Sequence, residues 1–396
     1  MKNKRFMILM LVLVLVLTAC GGGGTTKAPA ANEDSDEIVI GVMGPLTGNV
    51  AIYGIASTNG TKQAIDEINA NGGILGKQVR LVIEDEKGDT QEAVNVYNKI
   101  AESGAAAIIG SITSGPTLAV AELANRDNML LITPTGTQLD ITEGRPSVFR
   151  VCFTDPFQGE ILAQYAKETL GASTAAVLSN NSSDYSQGVK DAFVAEAAAQ
   201  GITIVGDESY GNDDKDFRVQ LTTIAAGNPD VILIPDYYQV IALIAPQARE
   251  VGLTGTFVGP DGWDGVIEQL TTGLSDDALK AEALESVEGS LFTNHYSLDD
   301  PDENIQAFIK NYSELYGENP ASFAALGYDA AYMVKQAIEE AGSTDSQAII
   351  DAMKNIDYSG ITGSIKFDDN NNPIKAVSVI EVTEGVYKLD SVVTPQ

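Results

Sequence analysis

The sequence predicts an α/β protein built as two doubly wound lobes, each a parallel sheet with helices on both faces. Two observations predict it. From Ile38 onward, short apolar runs rich in β-branched residues take turns with segments of helical period. This alternation runs through two successive series that divide near Asp155, and the chain from 37 to 396 is long enough for two domains of roughly 100–200 residues each. Strand and helix in strict turn imply parallel strands, because each return passes over a face of the sheet.

In the first series "IVIGVMGP" reads as a strand and "ASTNGTKQAIDEINANGG" as a helix closed by the pair Gly72-Gly73. "QVRLVIED" then precedes "TQEAVNVYNKIAES", "AAAIIG" precedes "PTLAVAELANRD", and "MLLITPT" ends the series. The second series runs "FQGEILAQYAKETL", "TAAVLSNN", "YSQGVKDAFVAEAAAQG", "ITIVGDESY", "DFRVQLTTIAAG", "VILIPDYY", "QVIALIAPQAREVG" and "TGTFVGPDG". What remains is "GSLFTNHY", helical patterns over 302–317, 322–341 and 346–356, and "GSIKFDDNNNPIKAVSVIEV", read as a terminal hairpin. This remainder is too poor in strands for a third parallel domain, so it is expected to complete the first two lobes by crossing between them.

The amino terminus stands apart. Lys2, Lys4 and Arg5 precede the apolar "FMILMLVLVLVL", too short to span a bilayer comfortably, and "LTAC" closes it at Cys20. Leu-Thr-Ala-Cys resembles the lipobox of bacterial lipoproteins, which implies cleavage after residue 19 and a lipid on Cys20. The stretch 20–36 lacks apolar periodicity and reads as a flexible tether. A net charge of −31 repels nucleic acid and anionic lipid. Beyond Cys20 the only cysteine is Cys152, in the apolar run "SVFRVCF", where it reads as a buried, inert thiol.

Ligands of open parallel sheets sit beyond the carboxyl ends of the strands. The loops there, "PLTGNVAIYG", "SITSGPT", "PTGTQ", "NNSSDYSQ", "YYQV" and "PDGWDG", are rich in hydroxyls, glycines and aromatics and nearly free of Lys and Arg. Ser114 lies just before the helix at Pro116, where free N–H groups and a hydroxyl converge, and a helix amino end holds a carboxylate without a basic side chain. "PTGT", from Pro134 to Thr137, repeats that chemistry one strand later. The alternative is that Ser114 and Thr137 only cap helices. Across the sheet series, Asp261 in "GPDGWDG" follows a buried strand, and "DYY" at 236–238 adds a second acid beside two tyrosines. An anion seat on one side and a carboxylate on the other suit a zwitterion such as an α-amino acid.

The order "IVIGVMGPLTG…YG", "AIDEINANGGILGKQVRLVIEDEKGDTQEAV", "AAAIIGSITSGPT", "TPTGT", "FR…TDPFQG", "DYSQG", "DYYQVIALIAPQAREVGL" and "FVGPDGWD" resembles the branched-chain amino acid binding proteins of ABC transporters, the Leu/Ile/Val-binding type, over essentially all of 37–396. The resemblance implies a periplasmic binding protein type I fold with three crossovers at the hinge. The expected lobes are 37–155 plus about 295–365, and about 156–294 plus 366–396. It further implies a carboxylate seat of Ser114, Gly136 and Thr137, with Asp261 as the acid for the ammonium where this type commonly has Glu. Tyr53, Tyr185, Tyr237 and Phe323 match aromatic positions around the cleft, and Ile112 and Trp263 would shape the side-chain pocket. A small-loop disulfide of some members is absent, with Glu86 and Thr113 near the expected places. Implied partners are an amino acid and the permease and ATPase subunits of an importer, with the binding protein a monomer on the outer face of the membrane.

Other readings carry less. With His295 the only histidine, no Gly-x-Ser-x-Gly elbow and no zinc spacing, the chain is not expected to be an enzyme. "DDNNNP" at 368–373 starts like a calcium loop, but Pro373 and Val379 stand where glycine and glutamate are wanted. No Gly-x-Gly-x-x-Gly follows a strand, so no dinucleotide and no other cofactor or metal is implied. A sensor module, or a binding protein for another small carboxylate or amide, is the alternative function.

Overall fold

A computed structural model describes residues 36–394. The leader, the lipidation of Cys20 and the tether up to residue 35 lie outside the described residues. Among these, no helix is long and apolar enough to cross a membrane.

The chain opens with β1 (Glu37–Gly44), α1 (Ala51–Ala70), β2 (Gln78–Asp85), α2 (Thr90–Glu102), β3 (Ala107–Ile109), α3 (Ser114–Asp127), β4 (Leu130–Thr133) and β5 (Val148–Arg150). There follow α4 (Asp155–Glu168), β6 (Thr174–Asn180), α5 (Asp184–Ala199), β7 (Thr203–Tyr210), α6 (Arg218–Ala226), β8 (Val231–Leu233), α7 (Tyr238–Glu250) and β9 (Thr256–Gly259). After a single 3-10 turn at Asp261–Trp263 come α8 (Val266–Thr271), α9 (Asp277–Glu285), β10 (Ser290–Asn294), α10 (Glu303–Tyr316), α11 (Ser322–Ala341) and α12 (Ser346–Lys354). The chain ends with β11 (Tyr358–Gly360), β12 (Gly363–Ile365), β13 (Val377–Thr383) and β14 (Val386–Val393).

The first sheet has the order β2-β1-β3-β4-β5, and all of its pairs are parallel. The second has the order β14-β13-β10-β9-β8-β6-β7, parallel from β10 to β7 and antiparallel at β13 and β14. Helices cover both faces, so the inner strands β3, β4 and β8 are buried at every residue and read as unbroken apolar runs rather than alternating ones. The strand order reverses between β1 and β3 in the first sheet and between β6 and β8 in the second. A crevice opens where neighbouring connections leave toward opposite faces. The loops that begin after β1, β3, β6 and β8 flank that crevice, and those after β4, β5 and β9 lie beside them.

The terminal hairpin expected over 363–382 does not form. "GSI" pairs backward with Tyr358–Gly360, while "VSVIEV" pairs with β10 and with β14, a strand the sequence reading stopped short of. The turn at "DDNNNP" does exist, since Asp368 accepts from the amides of Asn370 and Asn372. Pro373 offers no N–H to extend the ladder, and only the bridge Phe367 to Pro373 remains. The strap beyond it carries the chain from one sheet to the other. Such passages occur three times, through 151–154, 295–302 and 366–376.

Helix α11 returns to the first sheet and lies along α1 at close range. A Cβ on Gly60 would fall 1.9 Å from the carbonyl oxygen of Ala324, and one on Gly327 would fall 2.2 Å from that of Ser57. Helix α11 also anchors the β11–β12 ribbon. Buried Asp329 accepts from the Tyr358 hydroxyl, the amides of Ile361 and Thr362, and the Thr362 hydroxyl at 2.7–2.9 Å. Lys375, on the third passage, donates to that same Thr362 hydroxyl oxygen at 2.8 Å and to Val151 O on the first passage at 3.4 Å. Asp329→Ala leaves these donors and the buried ammonium uncompensated, so it is expected to cost about 3–5 kcal/mol of stability, read by denaturant unfolding.

Candidate functional site

Helix α3 begins at Ser114, two residues before Pro116, so the Ser114 amide is one of the unpaired first-turn donors. The loop before it is fixed from two sides. Gly110 has φ +128°, and a side chain there would strike Met43 O at 2.1 Å. The Ser111 hydroxyl donates to Glu86 at 2.7 Å, and Glu86 also accepts from the Gly88 amide at 2.7 Å. A buried hydrogen bond accepted by Glu86, whose carboxyl burial holds above its usual range, thus ties the two loops that hold Glu86 and Thr113.

The loop after β4 wraps a buried cation. The Arg150 guanidinium donates to the carbonyls of Gly136, Gln138 and Leu139 and to the Thr142 hydroxyl, at 2.8–3.2 Å. This corrects one expectation: the Gly136 amide donates inward to Thr133 Oγ1 at 2.8 Å and is not a free seat donor. The captured carbonyls and the Thr133 hydroxyl together turn the Gly136 peptide away from the cleft. Ser114 Oγ accepts from the Gln138 amide at 3.4 Å, joining the two hydroxyl loops, and Ile112 lies buried against Gly44 at the end of β1.

Across the cleft, Asp261 is held at each oxygen. Oδ1 accepts from the Tyr185 hydroxyl at 2.8 Å, Oδ2 faces His295 Nε2 at 3.2 Å, and the backbone N–H donates to Gln158 Oε1 at 2.8 Å. The Tyr185 ring stacks on Tyr237 with centroids 4.9 Å apart and planes 9° from parallel. Tyr53, on α1, donates to Gly262 O at 2.6 Å and meets Phe323 of α11 at 4.2 Å between centroids. The Tyr237 hydroxyl lies against the Ser114 backbone. Tyr53, Ser114, Tyr185, Tyr237, Asp261 and Phe323 are therefore brought together from both sheets, and all but the half-buried Tyr237 are buried.

Two expected residues are used elsewhere. Trp263 turns into the core of the second sheet: its indole N–H donates to Ile234 O at 2.9 Å, and its ring lies over Gly259, whose missing side chain makes the room. A buried indole needs an acceptor, and the strand edge supplies one. Asp236 of "DYY" accepts from Tyr210 and from the Tyr237 amide, so it organises its own loop.

Sequence reasoning assigned no role to Asp155, although it lies within the quoted "TDPFQG". It is the first residue of α4, its amide donates to Thr137 O at 3.0 Å, and neither carboxylate oxygen has a hydrogen-bond partner. Burial first, and then the Asp261 charge, push its pKa well above the carboxylate range against the pull of Thr137 and Arg150. Two buried carboxylates with unlike supports, one of them unpartnered, define a place for a cation. Among the described residues no group of three His, Cys, Asp or Glu side chains could hold a metal ion.

Fold and site define a class, a binding protein with a polar cleft between two sheets. The chain belongs to the periplasmic binding protein family, whose model matches residues 37–386. It is 33% identical over 330 residues to the Leu/Ile/Val-binding protein BraC3 of Rhizobium johnstonii, covering 83% of this chain and 85% of the relative. Among solved structures, the leucine binding protein LivK of Thermotoga maritima superposes with TM-score 0.82 and 35% identity, covering 90% of this chain and 99% of that one. LivJ of Streptococcus pneumoniae, a branched-chain amino acid transporter substrate-binding protein in complex with isoleucine, gives TM-score 0.81 and 33% identity over 91% of this chain and all of its own.

Proposed function

We propose that this chain is the lipid-anchored, extracytoplasmic substrate-binding protein of an ABC importer, and that it carries a branched-chain amino acid in the cleft between its sheets. The observation that carries this reading is the pair of buried carboxylates, Asp155 and Asp261, facing hydroxyl loops at a helix amino end. The ligand carboxylate takes the Ser114 amide and the Ser114 and Thr137 hydroxyls, where the α3 dipole supplies about half a positive charge. Its ammonium takes Asp261 and Asp155. Its side chain meets the apolar faces of Tyr53, Tyr237 and Phe323, a wall without a charged group that suits an aliphatic chain. Relatives named for Leu, Ile and Val binding, and a neighbour solved with isoleucine, support that choice.

The cycle is a clamp. Lobes of 37–155 plus about 295–365 and about 156–294 plus 366–396 open and close about the three passages, and the ligand first meets the Ser114 loop. Closure brings Tyr185, Tyr237 and Asp261 over it, and the closed surface is what the permease and its ATPases recognise. Contacts between the two sides accompany the closed arrangement. The Tyr238 hydroxyl donates to Asn49 O at 3.2 Å, and Asp264 accepts from the Ser322 amide and hydroxyl at 2.9 and 2.6 Å.

The test is calorimetry of the stripped protein against leucine, isoleucine and valine, with the matching keto acids as amino-free controls. Tighter binding of the amino acids than of their keto acids supports the zwitterion clamp, and equal or tighter binding of the keto acids overturns it. Ser114→Ala with Thr137→Ala removes two hydroxyls from a charged ligand group and is expected to weaken amino acid binding roughly 10- to 100-fold. An unchanged affinity would move the carboxylate out of this seat.

A further inference from the structure

Asp261 has one partner on each oxygen, and of the two only His295 changes charge in mildly acid solution. His295 follows β10 at the start of the second passage, with its side chain wholly shielded from solvent. Its ring stacks on Phe153 of the first passage, centroids 3.9 Å apart and planes 20° from parallel. Nε2 faces Asp261 Oδ2 at 3.2 Å, and Nδ1 is buried with no partner. A neutral imidazole can meet both facts in one way only. The proton sits on Nε2 and is donated to Asp261, and the lone pair at Nδ1 stays bare. The other tautomer turns a lone pair against a carboxylate, and the imidazolium buries an N–H at Nδ1 without an acceptor.

The surroundings favour the neutral form. Burial lowers the pKa to about 4, Lys375 on the third passage pushes the same way, and Asp261 pulls back. The other charged groups near the pair are Asp155 and Asp264, each acted on by the Asp261 charge, and Arg150 beside Asp155. The Cys152 thiol between them is pushed up to about 12 by burial and stays uncharged.

We propose that His295 is the positioning residue for amine recognition: as a neutral Nε2–H donor it aims Asp261 and leaves its full charge to the ligand's ammonium, whereas a proton added at Nδ1 makes an internal cation that competes with that ammonium. This rests on the amino acid reading of the same site. Proton and ligand then oppose each other, and the opposition is reciprocal: the factor by which a proton on His295 weakens the ligand is the factor by which the ligand weakens the proton. Affinity for an amino acid is flat above about pH 6 and falls toward pH 4 as the imidazole takes its proton. An amino-free acid makes no use of Asp261 and escapes the competition. His295 also links the ammonium site to Phe153, so the group that reads the amine lies between two of the three connecting strands.

The chain has a single histidine, so a long-range 1H–15N spectrum of the labelled protein reads His295 alone. The neutral Nε2–H form is expected, with a midpoint well below 6 that saturating leucine lowers by a unit or more and that 4-methyl-2-oxopentanoate leaves in place. In calorimetry His295→Leu weakens leucine binding tenfold or more. His295→Gln, which keeps an N–H donor but cannot titrate, recovers most of that loss and flattens the profile between pH 6 and 4. An Nδ1–H tautomer, a midpoint indifferent to leucine, or a His295→Gln profile that falls as in the parent protein overturns the proposal. If the parent protein binds none of the three branched-chain amino acids at pH 7.5, the functional reading fails instead. The tautomer, and the fall in midpoint expected on Asp261→Asn, still decide whether His295 and Asp261 form the coupled pair.

Discussion

Asp261→Asn is expected to weaken binding of a branched-chain amino acid by a hundredfold or more at neutral pH, with the corresponding keto acid held as before. Removing one partner of a buried, hydrogen-bonded charge pair costs about 2–5 kcal/mol, and each 1.4 kcal/mol is a factor of ten. Asparagine keeps the shape and still accepts from Tyr185, so the loop that Gln158 holds through the Asp261 amide stays in place. What is lost is the charge opposite the ammonium, with the added conflict of an amide N–H turned toward His295. Asp155→Asn is expected to cost less, because burial already draws that carboxyl toward its neutral form. Calorimetry with one amino acid and its keto acid separates the outcomes. Equal losses for both ligands would mean that the loop collapsed, and no loss for the amino acid would remove Asp261 from ammonium recognition.

Gly327→Val is expected to damage fold and site together. No real side-chain carbon sits at the 2.2 Å from Ser57 O that a Cβ at position 327 would require, and the Thr61 hydroxyl already donates to Gly327 O at 3.0 Å across the same crossing. Helices α1 and α11 must therefore move apart. Overpacking of this kind costs about 1–3 kcal/mol or more, and the melting temperature should fall by roughly 5 °C or more. Tyr53 on α1 and Phe323 on α11 form one face of the cleft, so leucine affinity should drop at least tenfold in the same variant. Thermal unfolding and calorimetry check the two effects, and a variant that melts and binds like the parent would contradict the close crossing.

The alternation of strands and helices was readable because both faces of each sheet are covered, so inner strands such as Leu130–Thr133 are apolar without interruption. The hydroxyl loops were readable from their position after those strands. What could not be read is pairing over distance. Nothing local tells "GSI" at 363–365 to fold back on Tyr358–Gly360 rather than forward over the Asn-rich turn, and β14 alternates exposed with half-buried residues, as an edge strand does. The site shows the same limit. Asp155 carries no signal of its own in the sequence, and only the fold reveals that its oxygens are buried and unpartnered. Trp263 and Gly136 sit in the right loops but point inward, because Ile234 O and Thr133 Oγ1 claim their N–H groups.

The order in which segments join the sheets bears on how the molecule is made. The second sheet ends in β13 and β14, so its outer strands come from Val377–Val393, far down the chain from β6 at Thr174. The first sheet is complete by Arg150, yet the helix that covers α1 is supplied by Ser322–Ala341. The face of the first sheet under α2 and α3 closes with residues up to Val148 alone, but the face under α1 and the edge of the second sheet wait for segments far down the chain. Contacts between residues so far apart in sequence form slowly, because long loops must close first. A chain of this design is expected to fold slowly, with its outer strands and the helix over α1 joining late.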